Sequence, residues 1–312
     1  FYEDFLIWND SKWHVIPSIS PENHTSSFCG MEEFPEQVQT SVDATLDIAL
    51  IKALFHNLLD MGQKMDVPAI DMKRWQQILD CAPDYQYNED GSPREWLDDR
   101  FPDREQHRHQ SHLYPVFPGL ELARENNTVL KQYQLGGMKR MRDGLEYQTS
   151  WSFVQNACLM ARCRDGENAY KSLCLMARSC LMENLLTLHN DWRDMGIGLE
   201  MPLSPFQIDA NMGFSAAVQE MLLYSDQKQV ELLPALPSQW SKGKIGPLAT
   251  RCHVLVTVEW EYGDETAAIV ATDDVTLTLH VKGRKSVVLH LTKGEEYRLP
   301  WSKNKDLKGI EL

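Results

Sequence analysis

Up to about residue 230, apolar side chains recur at helical spacing. Residues 39–62 set Val42, Leu46, Leu50, Leu54 and Leu58 four apart, with Ala49 and Ala53 alongside, which predicts a helix with one apolar face. The same period runs through residues 150–163. It returns in 168–188 through Ala169, Leu173, Ala177, Cys180, Leu181, Leu185 and Leu188, and in 214–224 through Ala217, Met221 and Leu222. Between these stretches lie long polar loops, above all 84–118, rich in Pro, Asp, His and Arg. Loops of that length inside a compact domain are usually functional. Consecutive helices with long loops at one end suggest a helical toroid.

From about Leu232 the period becomes two. Val254, Val256, Val258 and Trp260 alternate with His253, Leu255, Thr257 and Glu259. Val275, Leu277, Leu279 and Val281 repeat the pattern, as do Val287, Leu289 and Leu291, with Gly263-Asp264, Thr272-Asp273-Asp274, Gly283-Arg284 and Gly294 as turns. A small antiparallel β-sandwich is therefore expected over 233–312, after a helical domain over 1–232. The chain opens on Phe1 in an apolar stretch with Tyr2, Phe5, Leu6, Ile7 and Trp8, and the expectation is a piece of a longer polypeptide.

Charge narrows the partners. Against 31 basic residues stand 45 acidic ones, a net −14. Nucleic acid and anionic membrane surfaces both need a basic patch to displace counterions, so neither is expected as a partner. No apolar run approaches the roughly 20 residues of a membrane helix. The seven cysteines show no CxxC or CxC spacing, so neither zinc nor a disulfide framework is indicated; Cys158, Cys163, Cys174 and Cys180 read as small hydrophobes on helices. Asn9, Asn23 and Asn126 each begin a glycosylation sequon, a weak lean towards secretion, and a glycan on Asn23 would crowd the site proposed next.

Two carboxylates stand in unusual settings. Glu22 lies in Ser20-Pro21-Glu22-Asn23, where the fixed φ of Pro21 stiffens the approach. Asp209 lies in Pro205-Phe206-Gln207-Ile208-Asp209-Ala210-Asn211, with Gly213 beyond. Two separated, individually framed carboxyls are what acid-catalysed cleavage of a glycosidic bond requires. Between them runs His107-Arg108-His109-Gln110-Ser111-His112-Leu113-Tyr114. Its three imidazoles suit hydroxyl recognition, support of a site, or zinc, and a clear fourth ligand for zinc is lacking. An acid at Glu22 must be protonated to donate, so burial by Trp13, Val15, Ile16 and Phe28 is expected to raise its pKa. For Asp209 the competing role is an N-cap of a helix beginning near Phe214. For Trp96 the choice lies between stacking on a sugar and packing, with packing favoured.

The ordered motifs resemble glycoside hydrolase family 95, the α-L-fucosidases acting on fucose linked α-1,2 to galactose. The matching stretches are residues 20–23, Glu95-Trp96-Leu97-Asp98, residues 107–114, Ser150-Trp151-Ser152, residues 161–166 with Ala169-Tyr170, residues 205–211, Glu220-Met221-Leu222-Leu223 and residues 232–237. The resemblance implies the second part of an (α/α)6 barrel followed by the C-terminal β domain. It implies an extracellular, inverting exo-glycosidase that uses no cofactor and takes a fucosylated oligosaccharide or glycan. Glu22 matches the family's general acid, and Asp209 the carboxylate that polarises an asparagine amide to activate water. Asn23, His107, His109, His112 and Asn211 are then expected to bind substrate. This sequence holds no Asn-x-Asn segment to supply that amide, and Leu203, Ser204, Ala210, Met212, Phe153 and Val154 depart from the family's pattern. A carbohydrate-binding or incomplete member and an α-L-galactosidase stay open beside the fucosidase.

Overall fold

The computed structural model describes residues 1–25, 40–123 and 125–301; Phe28 and Cys29 lie outside them. A short helix α1 (Tyr2–Phe5) leads into a hairpin of β1 (Ile7–Asn9) and β2 (Lys12–His14). Helices α2 (Thr45–Lys64) and α3 (Ala69–Asp80) precede a long loop that contains the 3-10 turn Ser111–Leu113. Then come α4 (Asn127–Asp143), α5 (Ser150–Arg162), α6 (Gly166–Ser179) and α7 (Ile208–Leu222). The chain forms two compact units, one of Phe1–Leu159 with Ser172–Gly213, the other of Met160–Lys171 with the chain from Phe214.

The helices depart from the periodicity in instructive ways. On α2 the buried positions include Ile48, Ile51 and Phe55, while Leu50 and Leu54 of the expected stripe are 37% and 39% exposed. Apolar residues occur on more than one side of α2, so spacing alone does not choose the face. The neighbours choose it: Ile48, Ile51 and Phe55 share a core with Leu6, Val15 and Ile78. Helix α6 stops at Ser179 instead of running to 188. Arg193 donates from Nη1 to the carbonyls of Ala177 and Arg178, satisfying the helix end. The chain beyond turns through Leu185, which has φ +67° and is 67% exposed. Helix α7 starts at Ile208, ahead of the expected start near Phe214, and Asp209 therefore sits in its first turn.

The β region starts earlier than a 232/233 boundary, at β3 (Leu223–Ser225) and β4 (Gln229–Leu232). These pair with β8 (Val275–Val281) and β9 (Val287–Leu291) in the order β3-β4-β8-β9. The second sheet, β10-β7-β6-β5, joins β5 (Lys242–Ala249), β6 (Val254–Glu261), β7 (Asp264–Ala271) and β10 (Glu296–Leu299), all antiparallel. The first sheet is mixed, because β4 and β8 run parallel through Val230–Leu279 and Leu232–Val281. The expected alternation is realised: Val254, Val256, Val258 and Trp260 of β6 are buried and meet Leu277, Leu279, Leu289 and Leu291 of the other sheet in one core.

Gly243 is paired with Trp260, and the indole lies across it so closely that an added Cβ would come within 2.3 Å of Cζ2. The ring cannot swing aside freely, since its Nε1 donates to Trp240 O at 2.8 Å. Gly243→Ala should destabilise this unit by about 1–3 kcal/mol, the usual effect of overpacking. Calorimetry should record a lower Tm, and an unchanged Tm would show that the ring relaxes at no cost.

Candidate active site

Residues 20–23 form a tight turn. Asn23 N donates to Ser20 O at 3.0 Å, and Glu22, the third residue, has φ +54°. That position in a turn ordinarily calls for Gly or Asn, and a side chain there carries about 1–2 kcal/mol of strain. The turn is anchored upstream by Ser18, whose backbone exchanges two hydrogen bonds with Ser41 and whose Oγ donates to Asp47 at 2.6 Å. Thr25 ties it downstream, donating from Oγ1 to Pro102 O at 3.1 Å.

Under the turn lies a buried carboxylate. Glu95, 0% exposed, accepts from Ser20 Oγ at 2.5 Å on one oxygen and from Asn23 Nδ2 at 2.7 Å on the other. Arg140, equally buried, donates to that second oxygen and also to Arg104 O. The Glu95 backbone is fixed as well: its N donates to Asp103 Oδ1 at 2.9 Å and its O accepts from Thr45 N at 2.9 Å. Burial pushes the Glu95 carboxyl pKa up; Arg140, Ser20 and Asn23 oppose that. All three are donors, so they suit an ionised carboxylate.

The close approach of α4 makes the Arg140 contact reachable. Gly136 is buried one turn before Arg140, and a Cβ there would come within 2.9 Å of Leu113 and 3.2 Å of Pro93. The buried face of α4 is therefore Leu130, Tyr133, Gly136, Gly137 and Arg140. Trp96, 1% exposed, packs with Ala44 and Phe101.

Glu22 itself points outward. Its side chain is 60% exposed, and one oxygen meets both Arg108 and His109 Nε2, the latter at 2.9 Å. The expectation of a carboxyl raised by burial is corrected: the His109 hydrogen bond and then the Arg108 charge outweigh partial burial and lower its pKa. The three histidines separate into distinct roles. His109 alone touches Glu22, whereas His107 and His112 are 5% and 2% exposed. Burial, reinforced by Arg140, holds both of these neutral, His107 down at about 3. Gln110, 1% exposed, has no hydrogen-bond partner for its amide among the described residues. No group of His, Cys, Asp or Glu among the described residues has the arrangement to hold a metal.

Asp209 is exposed in the first turn of α7, where the helix dipole favours a carboxylate. Around it Leu203, Phe206, Ile208 and Met212 are exposed at 80, 51, 53 and 68%. The segment before it is tied back firmly: Gln207 Oε1 accepts from Ser150 Oγ and Trp151 N, and Gln207 N donates to Thr187 O. Both Glu22 and Asp209 belong to the first compact unit. His189, absent from the sequence reading, links their surroundings. Its N donates to Pro205 O at 2.8 Å, and its ring, held low by burial and Arg108, feels the charge of Glu22. A lone His between Leu188 and Asn190 carries no motif that would have singled it out.

Two expected substrate contacts are already occupied. Asn23 gives Nδ2 to Glu95 and accepts from His24 N, so its sequon is closed to a glycan. Asn211 accepts from Thr187 N and Oγ1 and donates to Leu185 O, pinning the loop that ends α6. Phe153, Val154 and Ala210 are fully buried, so three of the departures from the family pattern are interior. Among the described residues no disulfide is formed, and Cys158, Cys180 and Cys252 are buried.

Comparison with known proteins settles the kinship. The profile described as "Glycosyl hydrolase family 95 catalytic domain" matches residues 1–222, and "Glycoside hydrolase family 95, C-terminal domain" matches 224–307. The chain belongs to glycoside hydrolase family 95. Alpha-L-fucosidase 2 of Arabidopsis thaliana is 32% identical over 99% of this chain and 35% of its own length. A probable alpha-fucosidase A of Aspergillus oryzae is 26% identical over 79% of this chain and 34% of its own. The chain thus spans about a third of the length of these curated relatives. Among solved structures, a putative kojibiose phosphorylase from human microbiome superposes with a TM-score of 0.56 at 11% identity, covering 96% of this chain and 41% of that one, a likeness of fold alone. No helix among the described residues is long and apolar enough to cross a membrane.

In this family 95 member the contacts around Glu22 make two measurable statements. Removing the guanidinium by Arg108→Met should raise the Glu22 pKa, since the charge that favours its ionised form is gone. Carbon-detected NMR titration of the Glu22 carboxyl checks this, and an unmoved midpoint would show that Arg108 does not govern the proton. Arg140→Met should destabilise the protein by about 3–5 kcal/mol, because it leaves the Glu95 carboxylate buried without its counter-ion. Denaturant titration reads this, and a loss under 1 kcal/mol would mean that water or a rearranged donor replaces the pair.

Proposed function

We propose that this chain carries catalytic machinery of an exo-glycoside hydrolase that releases terminal α-L-fucose, α-1,2-linked to galactose, with inversion at the anomeric carbon. The observation that carries the reading is Glu22: an exposed carboxylate on a strained, firmly anchored turn, flanked by Arg108 and His109, in a chain matched to the family's catalytic domain over residues 1–222. The kinship with fucosidases supports the sugar, and the motif resemblance supports linkage and stereochemistry. On the same grounds the helical part is read as the second portion of an (α/α)6 barrel, and the sandwich as the domain that follows it. A fucosylated glycan is the substrate partner. An extracellular setting is supported by the resemblance and weakly by the exposed sequons at Asn9 and Asn126.

Glu22 is the acid that protonates the departing glycosidic oxygen. In the free protein Arg108 and His109 hold it ionised, so it needs a proton before it can donate. A bound glycan that covers Glu22 and draws Arg108 onto its own hydroxyls would raise the carboxyl towards the protonated form. Asp209 acts on the opposite face of the sugar, orienting the group that activates the attacking water, across a gap of about 6.5–9.5 Å or a little more. His109 is the histidine placed to meet a sugar hydroxyl, with His107 and His112 as buried support. One observation favours a second reading, a carbohydrate-binding member without turnover: Glu22 is paired with Arg108 and His109, the company of an ionised carboxylate and not of a proton donor.

In the full-length protein, Glu22→Gln should lower kcat on 2′-fucosyllactose about 10²–10⁴-fold, the usual share of general acid catalysis. α-L-Fucosyl fluoride, whose leaving group needs little protonation, should be relatively spared. Asp209→Asn should impair both substrates. An exchange of these two patterns would reverse the roles of the carboxyls, and binding of the glycan with no hydrolysis by the unmodified protein would favour the second reading.

A further inference from the structure

We infer that Glu95 is a positioning residue for catalysis: it holds the Glu22 carboxyl at its donating position by gripping the turn on both sides of it. The inference rests on the reading of Glu22 as the acid and adds a residue to which neither motif logic nor kinship assigned a role.

Three observations carry it. The first is the placement of the contacts. Glu95 takes its hydrogen bonds from Ser20, two residues before Glu22, and from Asn23, the residue after it, each on a different carboxylate oxygen. One buried planar group thus spans the turn from end to end. The second is strain. Glu22 has φ +54°, which an L side chain avoids unless its surroundings impose it. The Asn23 N to Ser20 O bond closes the turn, and Glu95 supplies the fixed points beneath its two ends. The third is rigidity of the clamp. Glu95 is held by Arg140 through its side chain and by Thr45 and Asp103 through its backbone, and none of its side chain is exposed. Neither end can move without breaking a buried, charge-assisted contact.

The same groups tie the clamp to Glu22's own partners. Arg140, the counter-ion of Glu95, also donates to the backbone of Arg104, whose Nη1 lies 2.8 Å from Nε2 of His24, next but one to Glu22. Gln148, fully buried, bonds the backbone carbonyls of Arg140 and His107, fixing the start of the segment that carries Arg108 and His109. The turn with the acid and the loop with its two partners are therefore referred to one buried ion pair. Proton donation needs the carboxyl within hydrogen-bond reach of the leaving oxygen, and a displacement of about 1 Å can lower a rate about 10²-fold.

The test compares Glu95→Gln and Ser20→Ala in the full-length protein, each alone and combined with Glu22→Gln, on 2′-fucosyllactose and on α-L-fucosyl fluoride. Glu95→Gln should lower kcat on the natural substrate about 10–100-fold with KM within about twofold, and should spare the fluoride as Glu22→Gln does. In the Glu22→Gln background it should add less than about twofold, because its effect passes through a group already disabled. Ser20→Ala loosens one grip and leaves the ion pair intact; it should show the same pattern more weakly, and it decides by the same criterion if Glu95→Gln does not fold. Equal losses on both substrates, or full multiplicative losses in both backgrounds, would make the Glu95 network a purely structural element and overturn the inference. If Glu22→Gln leaves kcat unchanged, the acid assignment itself fails and takes this inference with it.

Discussion

A carboxylate with no access to water must be met by donors on nearly every lone pair, or it becomes an uncompensated charge inside the protein. Glu95 is that carboxylate here, and much of the first compact unit is arranged to satisfy it. Arg140 supplies the opposite charge, and Gly136 on α4 allows its helix to lie close enough for the guanidinium to arrive. Ser20 and Asn23 complete the shell, and by doing so hold a strained turn in place. A buried ion pair is a weak source of net stability, since removal from water offsets most of its attraction. Its value here is geometric. It specifies where three separate chain segments sit relative to one another, at the ends of Glu22.

The electrostatic setting of Glu22 differs from that of an acid buried in an apolar pocket. Its proton affinity in the free protein is lowered by His109 and Arg108 by more than partial burial raises it. Such an arrangement leaves the carboxyl's pKa responsive to what covers it. Any neutral group that excluded water there and engaged the arginine would change both influences at once, in the same direction. The two neighbouring imidazoles, His107 and His112, stay neutral because they are buried beside Arg140. They add no positive charge to that already placed beside Glu22.

The β-sandwich follows simpler rules. Alternation places every second residue of β6 and β8 inside, and one core accepts both sheets. Here the pattern was legible because each strand buries one face only, so period and burial coincide. The parallel pairing of β4 with β8 was not legible, since period two is the same for both directions.

The sequence by itself determined the kinds of element, the change from helical to strand period, and the two carboxylates in their framed motifs. Those are local properties: a repeat of apolar residues or a proline beside a glutamate acts within a few residues of itself. Which face of α2 is buried was a tertiary decision, because apolar residues on several sides let the neighbours choose Ile48, Ile51 and Phe55 over Leu50 and Leu54. The buried face of α4 was hidden for a different reason: after Leu130 and Tyr133 it continues through Gly136, Gly137 and Arg140, which extend no apolar stripe. Asn23 and Asn211 looked like ligands for a sugar, and only the fold shows their amides spent on Glu95 and Thr187. The Glu95–Arg140 pair joins residues 45 apart in sequence. No local rule reads such a pairing, because what brings the two charges together is the burial that makes each intolerable without the other.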